Sequence, residues 1–278
     1  MKEKFKEIRT NILNHIIHLS KNEKPYLAII QVGNNAASNV YVKNKEKTCA
    51  EVGIETKIYH INDDCKIESL KEIIELLSKM DWVHGIILQL PLPDHLKPYE
   101  QELLDLIPYY KDVDGLSTES VGRLWTGEGF CLCPATAVAT KMFLFNTCCL
   151  SGMNVAIIGR SSLIGKPLMK LLLDENCTIH VYHSKSNTKN VFKEHDIVIS
   201  GIGNTSLCDY WDDKFNCLWV DCGIIRNNGK VHGDAGELVS EYITPVPGGI
   251  GTLTTACIAL NTLNAYLYQK GMKKNESN

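Results

Sequence analysis

The stretch that most constrains this chain is GMNVAIIGRSSLIGKP, residues 152–167. Val155 to Ile158 is a short apolar run suited to a buried parallel strand, and it ends in Gly159, where the backbone is free to turn sharply. Gly165 and Pro167 then open a helical pattern, with Leu168, Leu171 and Leu172 at the spacing of one apolar face. A strand, a glycine turn and a helix N-terminus in succession present backbone N–H groups to a pyrophosphate. The spacing departs from G-x-G-x-x-G: Gly159-Arg160-Ser161-Ser162-Leu163-Ile164-Gly165 has serine at the second glycine and one residue more before the third. Taken alone, the segment is equally an ordinary strand-to-helix connection, so its neighbours decide.

The 278 residues suffice for one large domain or two ordinary ones, and with 44% hydrophobic and 22% charged residues they can bury a sizeable core. A net charge of −3 without a long basic block gives no sign of a nucleic-acid partner. The amino-terminal segment MKEKFKEIRTNILNHIIHL interleaves charges with apolar residues, which predicts neither a signal peptide nor a membrane span. Eleven scattered cysteines, an odd number, read as small buried residues of a reducing cytoplasm rather than a disulfide framework. The close pairs Cys131/Cys133 and Cys148/Cys149 lack the two-residue gap of a zinc knuckle, so no metal site is expected.

In chain order, Phe5, Ile8, Ile12, Leu13, Ile16 and Ile17 predict an amphipathic helix over 4–21, ended by Pro25. A strand over 26–32, a turn at Gly33-Asn34-Asn35, and a helix capped by Ser38 and running to Gly53 follow. Residues 54–61 read as strand, 66–80 as helix and 84–90 as strand, and this alternation implies a parallel sheet. Two loops add chemistry: Gln89-Leu90-Pro91-Leu92-Pro93 at a strand's C-terminal end, where open sheets place ligands, and Lys111-Asp112-Val113-Asp114-Gly115. A helix from Pro134 to about Thr147 leads into the glycine-turn unit, followed by strands at 178–182, 196–200 and 218–222. Residues 244–251 read as irregular, and a last helix spans 254–268.

Six segments in this order, VGNNAASNVYVKNKEKTCAEVGI, GIILQLPLP, KDVDG, IIGRSSLIGKP, YHSKS and TPVPGGIGTLT, resemble the bifunctional methylenetetrahydrofolate dehydrogenase/cyclohydrolase family over residues 26 to about 265. The resemblance implies an α/β protein of two domains. A folate-binding catalytic domain (1–137, completed by a C-terminal helix 254–278) would be joined to a Rossmann-type NADP-binding domain (138–253) with a parallel sheet, the folate cleft lying between them. It implies oxidation of 5,10-methylenetetrahydrofolate to the methenyl cation with NADP and hydrolysis of that cation to 10-formyltetrahydrofolate, in a cytoplasmic homodimer of one-carbon metabolism.

The resemblance also assigns roles. Lys45 is the cyclohydrolase residue. Tyr41, four residues earlier and so on the same helix face, lies against the pterin. Gln89 bonds the lysine, Asp114 binds the pterin N–H pair, and Asp112 holds its loop. Ser38, Leu90, Pro247, Gly248 and Gly249 complete the substrate set, although capping would account for Ser38 equally well. Gly159, Arg160, Ser161 and Gly165 surround the cofactor phosphates; His183, Ser184, Gly201, Gly203 and Ile224 complete that site. An NAD-specific unit carries an acid on the ribose about twenty residues past the glycine turn. Here the next strand ends in His183-Ser184-Lys185, and Arg160 and Ser184 match contacts to a 2′-phosphate, so NADP is expected.

Two departures stand out. The family's P-C-T-P-x-G is Pro134-Ala135-Thr136-Ala137-Val138-Ala139, predicting a more helical connection, and its G-P-M-T is Gly251-Thr252-Leu253-Thr254, which loses a rigid proline. Two alternatives stay open: a monofunctional NAD(P)-dependent dehydrogenase of the same fold, and a folate- or nucleotide-binding protein without turnover.

Overall fold

The computed structural model describes residues 1–21, 23–227 and 230–271. By packing, the chain divides into two compact units, one of residues 11–135 and 255–278 and the other of residues 1–10 and 136–254.

The first unit is built around β1 (Tyr26–Val32), β2 (Glu55–Ile61) and β3 (Gly85–Leu88), all parallel in the order β2-β1-β3. Its helices are the second half of α1 (Lys2–Leu19), whose residues up to Thr10 belong to the other unit, with α2 (Ala36–Glu51), α3 (Ile67–Lys79), α4 (Glu100–Leu104) and α5 (Thr118–Thr126). Six of the seven residues of β1 are buried, as expected of a central strand covered on both faces. Ala28, Ile30, Val32, Ile86 and Leu88 meet Leu70, Ile74 and Leu77 of α3 on one face. Along α1, Phe5, Ile8, Ile12, Leu13 and Ile16 are buried at three- and four-residue spacing, whereas Ile17 is exposed.

Ser38 is not the cap of α2. The helix starts at Ala36, and Asn35 Oδ1 accepts the Ser38 N–H at 3.1 Å, the geometry of an N-cap three residues before. Gly53 ends this helix at φ +77°, where a side chain would be strained. The sequence reading had no helix at 118–126; Ser117 caps it by accepting the Ser120 N–H, and Gly127 closes it at φ +71°.

The second unit holds α6 (Ala135–Phe145), β4 (Asn154–Ile158), α7 (Gly165–Leu173), β5 (Thr178–Tyr182), α8 (Val191–Glu194), β6 (Ile197–Ser200) and β7 (Leu218–Asp221). Its four parallel strands take the order β5-β4-β6-β7. Trp219 fills the core against Phe192 and Trp211, and its indole N–H donates to Ser200 Oγ at 2.9 Å. A small antiparallel pair, β8 (Ile225–Asn227) and β9 (Lys230–His232), was not expected; at three residues each, these strands are too short to carry a periodic signal.

The last helix, α9 (Ile250–Gln269), begins four residues before the expected start, so Ile250 and Gly251 are helical rather than irregular. Its Asn261 amide donates to the carbonyls of Val113 and Cys133, both at 2.8 Å, and Gln269 donates to the His84 carbonyl at 2.8 Å. All eleven cysteines are free thiols, and no helix among the described residues is long and apolar enough to cross a membrane.

Two predictions follow from this packing. His84 is buried, and its Nδ1 accepts the Tyr26 N–H at 3.1 Å. Burial, and then the cationic Lys270 and Lys111, push its pKa from 6.5 down to about 4. The unfolded chain therefore binds this proton more readily, and the stability His84 contributes is complete above pH 6.5 and lost as pH falls toward 4. Urea midpoints should drop more steeply between pH 7 and 5 for the native chain than for His84→Gln; parallel drops would refute the assignment. Gly115 sits at φ +64°, and a Cβ there would lie 2.3 Å from the Leu132 carbonyl oxygen. Gly115→Ala should cost more than ~1 kcal/mol, measured as a lowered thermal midpoint by calorimetry.

Candidate functional site

In the first unit the chemistry collects at the C-terminal edge of the parallel sheet, the place this topology reserves for ligands. Gln89 is the first residue after β3, and its backbone N–H still donates to Ile30 of β1 at 2.9 Å. Its side-chain amide N–H donates to the Leu90 carbonyl at 2.7 Å, which turns the amide oxygen toward α2. That oxygen accepts a hydrogen bond from Lys45 Nζ at 3.1 Å. Lys45 Nζ also lies 3.7 Å from Asp114 Oδ2. Sequence reasoning set Asp114 beside the lysine-glutamine pair as the pterin-binding acid; in the structure its carboxylate is also a charged neighbour of the lysine itself.

Burial separates Lys45 from the other lysines of its helix. Its side chain is 12% exposed and that of Asp114 17%, whereas Lys43 and Lys47 face solvent. Tyr41, one turn before Lys45 on α2, is half-buried. Ser38 is buried a further turn back, and Leu90 is half-buried at a cis peptide bond to Pro91.

The loop that delivers Asp114 is fixed by its own charged residues. Lys111 Nζ donates to the carbonyls of Ser78 and Met80 at 2.9 and 2.8 Å, satisfying groups that the end of α3 leaves open. Burial lowers the lysine's pKa. Asp112 is buried in the opposite role. Its carboxylate accepts the Ser117 N–H and the Ser120 hydroxyl, each at 2.8 Å, at the start of α5, and burial raises its pKa. The Ile86 N–H donates to the Lys111 carbonyl at 2.7 Å, so the loop runs beside β3 as a short extension of the sheet. Sequence reasoning gave Asp112 its loop-holding part but missed Lys111, Asn35 and Asn261. Asn261 left a signal, an amide within the apolar stretch of the last helix.

In the second unit, β4 leads to β5 on one side and is flanked by β6 on the other, so the strand order reverses beside β4. Gly159 and Gly201 lie just past the ends of β4 and β6 at this switch point. Gly159 has φ +114°. A Cβ on Gly165 would stand 2.3 Å from the Gly159 carbonyl oxygen, so only glycine lets α7 begin this close to the turn. Ser161 Oγ accepts the Ile164 N–H at 3.2 Å and closes the loop.

Arg160 and Ser184 are exposed, and Arg160 has no side-chain partner among the described residues. His183 Nδ1 accepts the Lys185 N–H at 3.2 Å in the turn after β5, and no acid stands in that turn. Ile224 is exposed beside β8. Pro247, Gly248 and Gly249 form the turn before α9; Gly248 has φ +100°, and a Cβ on Gly249 would lie 2.3 Å from the Pro245 carbonyl oxygen. Thus Lys45, Gln89 and Asp114 come together in one unit, and the glycine turn, Gly201 and Gly203 belong to the other. No group of three His, Cys, Asp or Glu that could hold a metal ion occurs among the described residues.

Comparison with known proteins matches residues 1–114 to the tetrahydrofolate dehydrogenase/cyclohydrolase catalytic domain and residues 133–270 to the NAD(P)-binding domain of the same family. The bifunctional protein FolD of Wolbachia pipientis is 38% identical over 267 residues, 92% of this chain and 90% of that protein. The crystal structure of the bifunctional FolD dehydrogenase/cyclohydrolase of Campylobacter jejuni superposes with a TM-score of 0.85 at 35% identity, covering 98% of each chain. The corresponding Trypanosoma brucei enzyme, crystallised with NADP cofactor and an inhibitor, gives 0.83 at 27% identity over 95% of each chain. This chain belongs to the tetrahydrofolate dehydrogenase/cyclohydrolase family.

Proposed function

We propose that this chain oxidises 5,10-methylenetetrahydrofolate to the 5,10-methenyl cation with NADP and hydrolyses that cation to 10-formyltetrahydrofolate. The observation that carries the reading is the meeting of Lys45 with Gln89 and Asp114 at the C-terminal edge of a parallel sheet. A protein that only bound folate would have little need of a lysine held by a glutamine beside a pterin-binding acid.

Each residue has a separable task. Asp114 anchors the pterin, whose ring and amino N–H groups form a donor pair matched to a carboxylate. Tyr41 shares the helix face of Lys45 and packs against the pterin ring, with Ser38 and Leu90 beside it; the turn of Pro247, Gly248 and Gly249 is assigned to the folate as well. Gln89 fixes Lys45 through the hydrogen bond at 3.1 Å. Hydrolysis needs proton exchange, because the attacking water loses a proton and the nitrogen released on ring opening gains one. Lys45, the ammonium donor of the group, holds a proton at Nζ for that nitrogen.

The second unit fits a dinucleotide: Gly165 leaves a cradle that a Cβ would fill, the crevice lies at a switch point, and Arg160 and Ser184 are open beside it. NADP bound there supplies the hydride acceptor. Gly159, Ser161 and Gly165 would hold its phosphates, Arg160, His183 and Ser184 its 2′-phosphate end, and Gly201, Gly203 and Ile224 the rest. A homodimer and a cytoplasmic location complete the proposal. For the dimer, support comes from β5, which pairs with β4 alone among the described strands and exposes Val181, leaving an edge that a second copy can cover.

Lys45→Met should lose cyclohydrolase activity by about a hundredfold or more, the scale of acid–base assistance, while dehydrogenase activity stays measurable and methenyl product accumulates. Hydrolysis of added methenyltetrahydrofolate at the native rate would remove Lys45 from the mechanism. Arg160→Ala should raise the KM for NADP far more than that for NAD, since a guanidinium gives charge-assisted hydrogen bonds to a 2′-phosphate. An equal rise with both cofactors would mean that Arg160 only shapes its loop.

A further inference from the structure

The loop after β6 carries an arrangement that the roles above leave unused. Three consecutive backbone N–H groups, of Ile202, Gly203 and Asn204, converge on the Asp234 carboxylate at 2.9, 2.8 and 3.2 Å. Successive N–H groups around a left-handed residue, here Gly203 at φ +71°, form a concave nest for an anion. In this protein the nest already holds an anion of its own, the side chain of Asp234, which is fully buried.

Asp234 is itself held by a second carboxylate. Asp221, at the end of β7, accepts the N–H groups of Gly223, Asp234 and Ala235 at 2.8, 3.0 and 2.8 Å. The fit leaves no slack. A Cβ on Gly223 would lie 2.1 Å from Asp234 Oδ1, and one on Gly233 2.1 Å from Asp221 Oδ2. Six backbone N–H groups thus tie β7, the segment 233–235 and the 201–204 loop to two buried acids.

This has a directional consequence. A trans peptide sets its C=O opposite its N–H, so turning the N–H groups of 202–204 toward Asp234 turns the carbonyls of 201–203 away from it. The Gly201 carbonyl oxygen lies 3.9 Å from where a Cβ on Gly159 would stand, so it faces the glycine turn across the switch point. The loop therefore offers acceptors to the crevice, with two carboxylates behind them, an environment that suits hydrogen-bond donors and disfavours a phosphate. By topology, β4-α7-β5 forms one mononucleotide half and β6 begins the other.

We infer that Asp234 is a positioning residue of the cofactor site: by filling the 202–204 nest it makes this loop the subsite for the hydroxyl and amide N–H donors of the nicotinamide nucleoside, leaving the phosphates to the glycine turn. The inference rests on the dinucleotide reading of the second unit. The test is calorimetric binding of NADP and of 2′,5′-ADP, which carries the adenosine and phosphates but no nicotinamide, to the native protein and to Asp234→Asn. The amide sets an N–H₂ group against one of the loop donors, so the loop must turn. NADP should bind at least about tenfold more weakly to the variant, the scale of one charge-assisted hydrogen bond, while 2′,5′-ADP binds within about twofold of native. The KM for NADP should rise with it, and hydrolysis of methenyltetrahydrofolate without NADP reports whether the other unit is intact. Should Asp234→Asn fold poorly, Gly203→Ala makes the same comparison, because its Cβ meets nothing within 4 Å and strains only the loop. Equal weakening of both ligands would reduce Asp234 to general support of the fold and overturn the inference, as would native affinity for NADP. A native protein that bound neither ligand would overturn the dinucleotide reading itself, and this inference with it.

Discussion

A charge removed from water has to be met by hydrogen bonds, and both candidate sites of this protein are built on that requirement. Lys111 and Asp112 are neighbours in one loop, yet each is met differently, the cation by carbonyls at the end of α3 and the anion by donors at the start of α5. In the other unit Asp221 and Asp234 gather backbone N–H groups from three segments. Loops at these sites have at most a short stretch of ladder to hold them, and buried charges supply the rest. The loops thereby gain one conformation each, which a site that must align two reactants requires.

The consequence in the first unit is a lysine with defined neighbours on a rigid helix. Lys45 could not be distinguished from Lys43 and Lys47 by its helical spacing alone, since all three lie in one exposed-looking run. What separates it is that β3 ends one residue before Gln89, and that the Lys111–Gly115 loop returns beside β3 to bring Asp114 within 3.7 Å. Dehydrogenation places no comparable demand on a proton donor, because the nitrogens flanking the reacting carbon stabilise the cation that hydride loss leaves. Under the proposed role of Lys45, one unit can serve two steps while concentrating its acid–base chemistry in one side chain.

Much was legible in the sequence because it depended on local rules. The runs at 26–32 and 178–182 are strands with those bounds; the first is the buried centre of its sheet and leaves a nearly continuous apolar signature, whereas the second is a half-exposed edge marked by its β-branched and aromatic residues. The glycines at 53 and 159 marked a helix end and a sharp turn, and both have the left-handed backbone that excludes a side chain. Loss of a proline and a glycine after Pro134 predicted a helical connection, and α6 begins at Ala135. The order of six site segments was enough to imply the family.

Tertiary structure alone decided the rest. Ser38 and Asn35 are both plausible caps by composition, and only the path of the chain out of β1 makes Asn35 the acceptor. The two-stranded β8 and β9 and the helix at 118–126 are too short or too dependent on packing to announce themselves. Asp221 and Asp234, thirteen residues apart, gave no sequence sign of sharing a site, because their partners are backbone N–H groups, which every residue but proline carries. Sequence thus named the family and the candidate residues for the chemistry. Which of them are buried, and against what, was fixed only when the strands aligned, because hydrogen-bond partners and burial are properties of distance in space rather than of spacing along the chain.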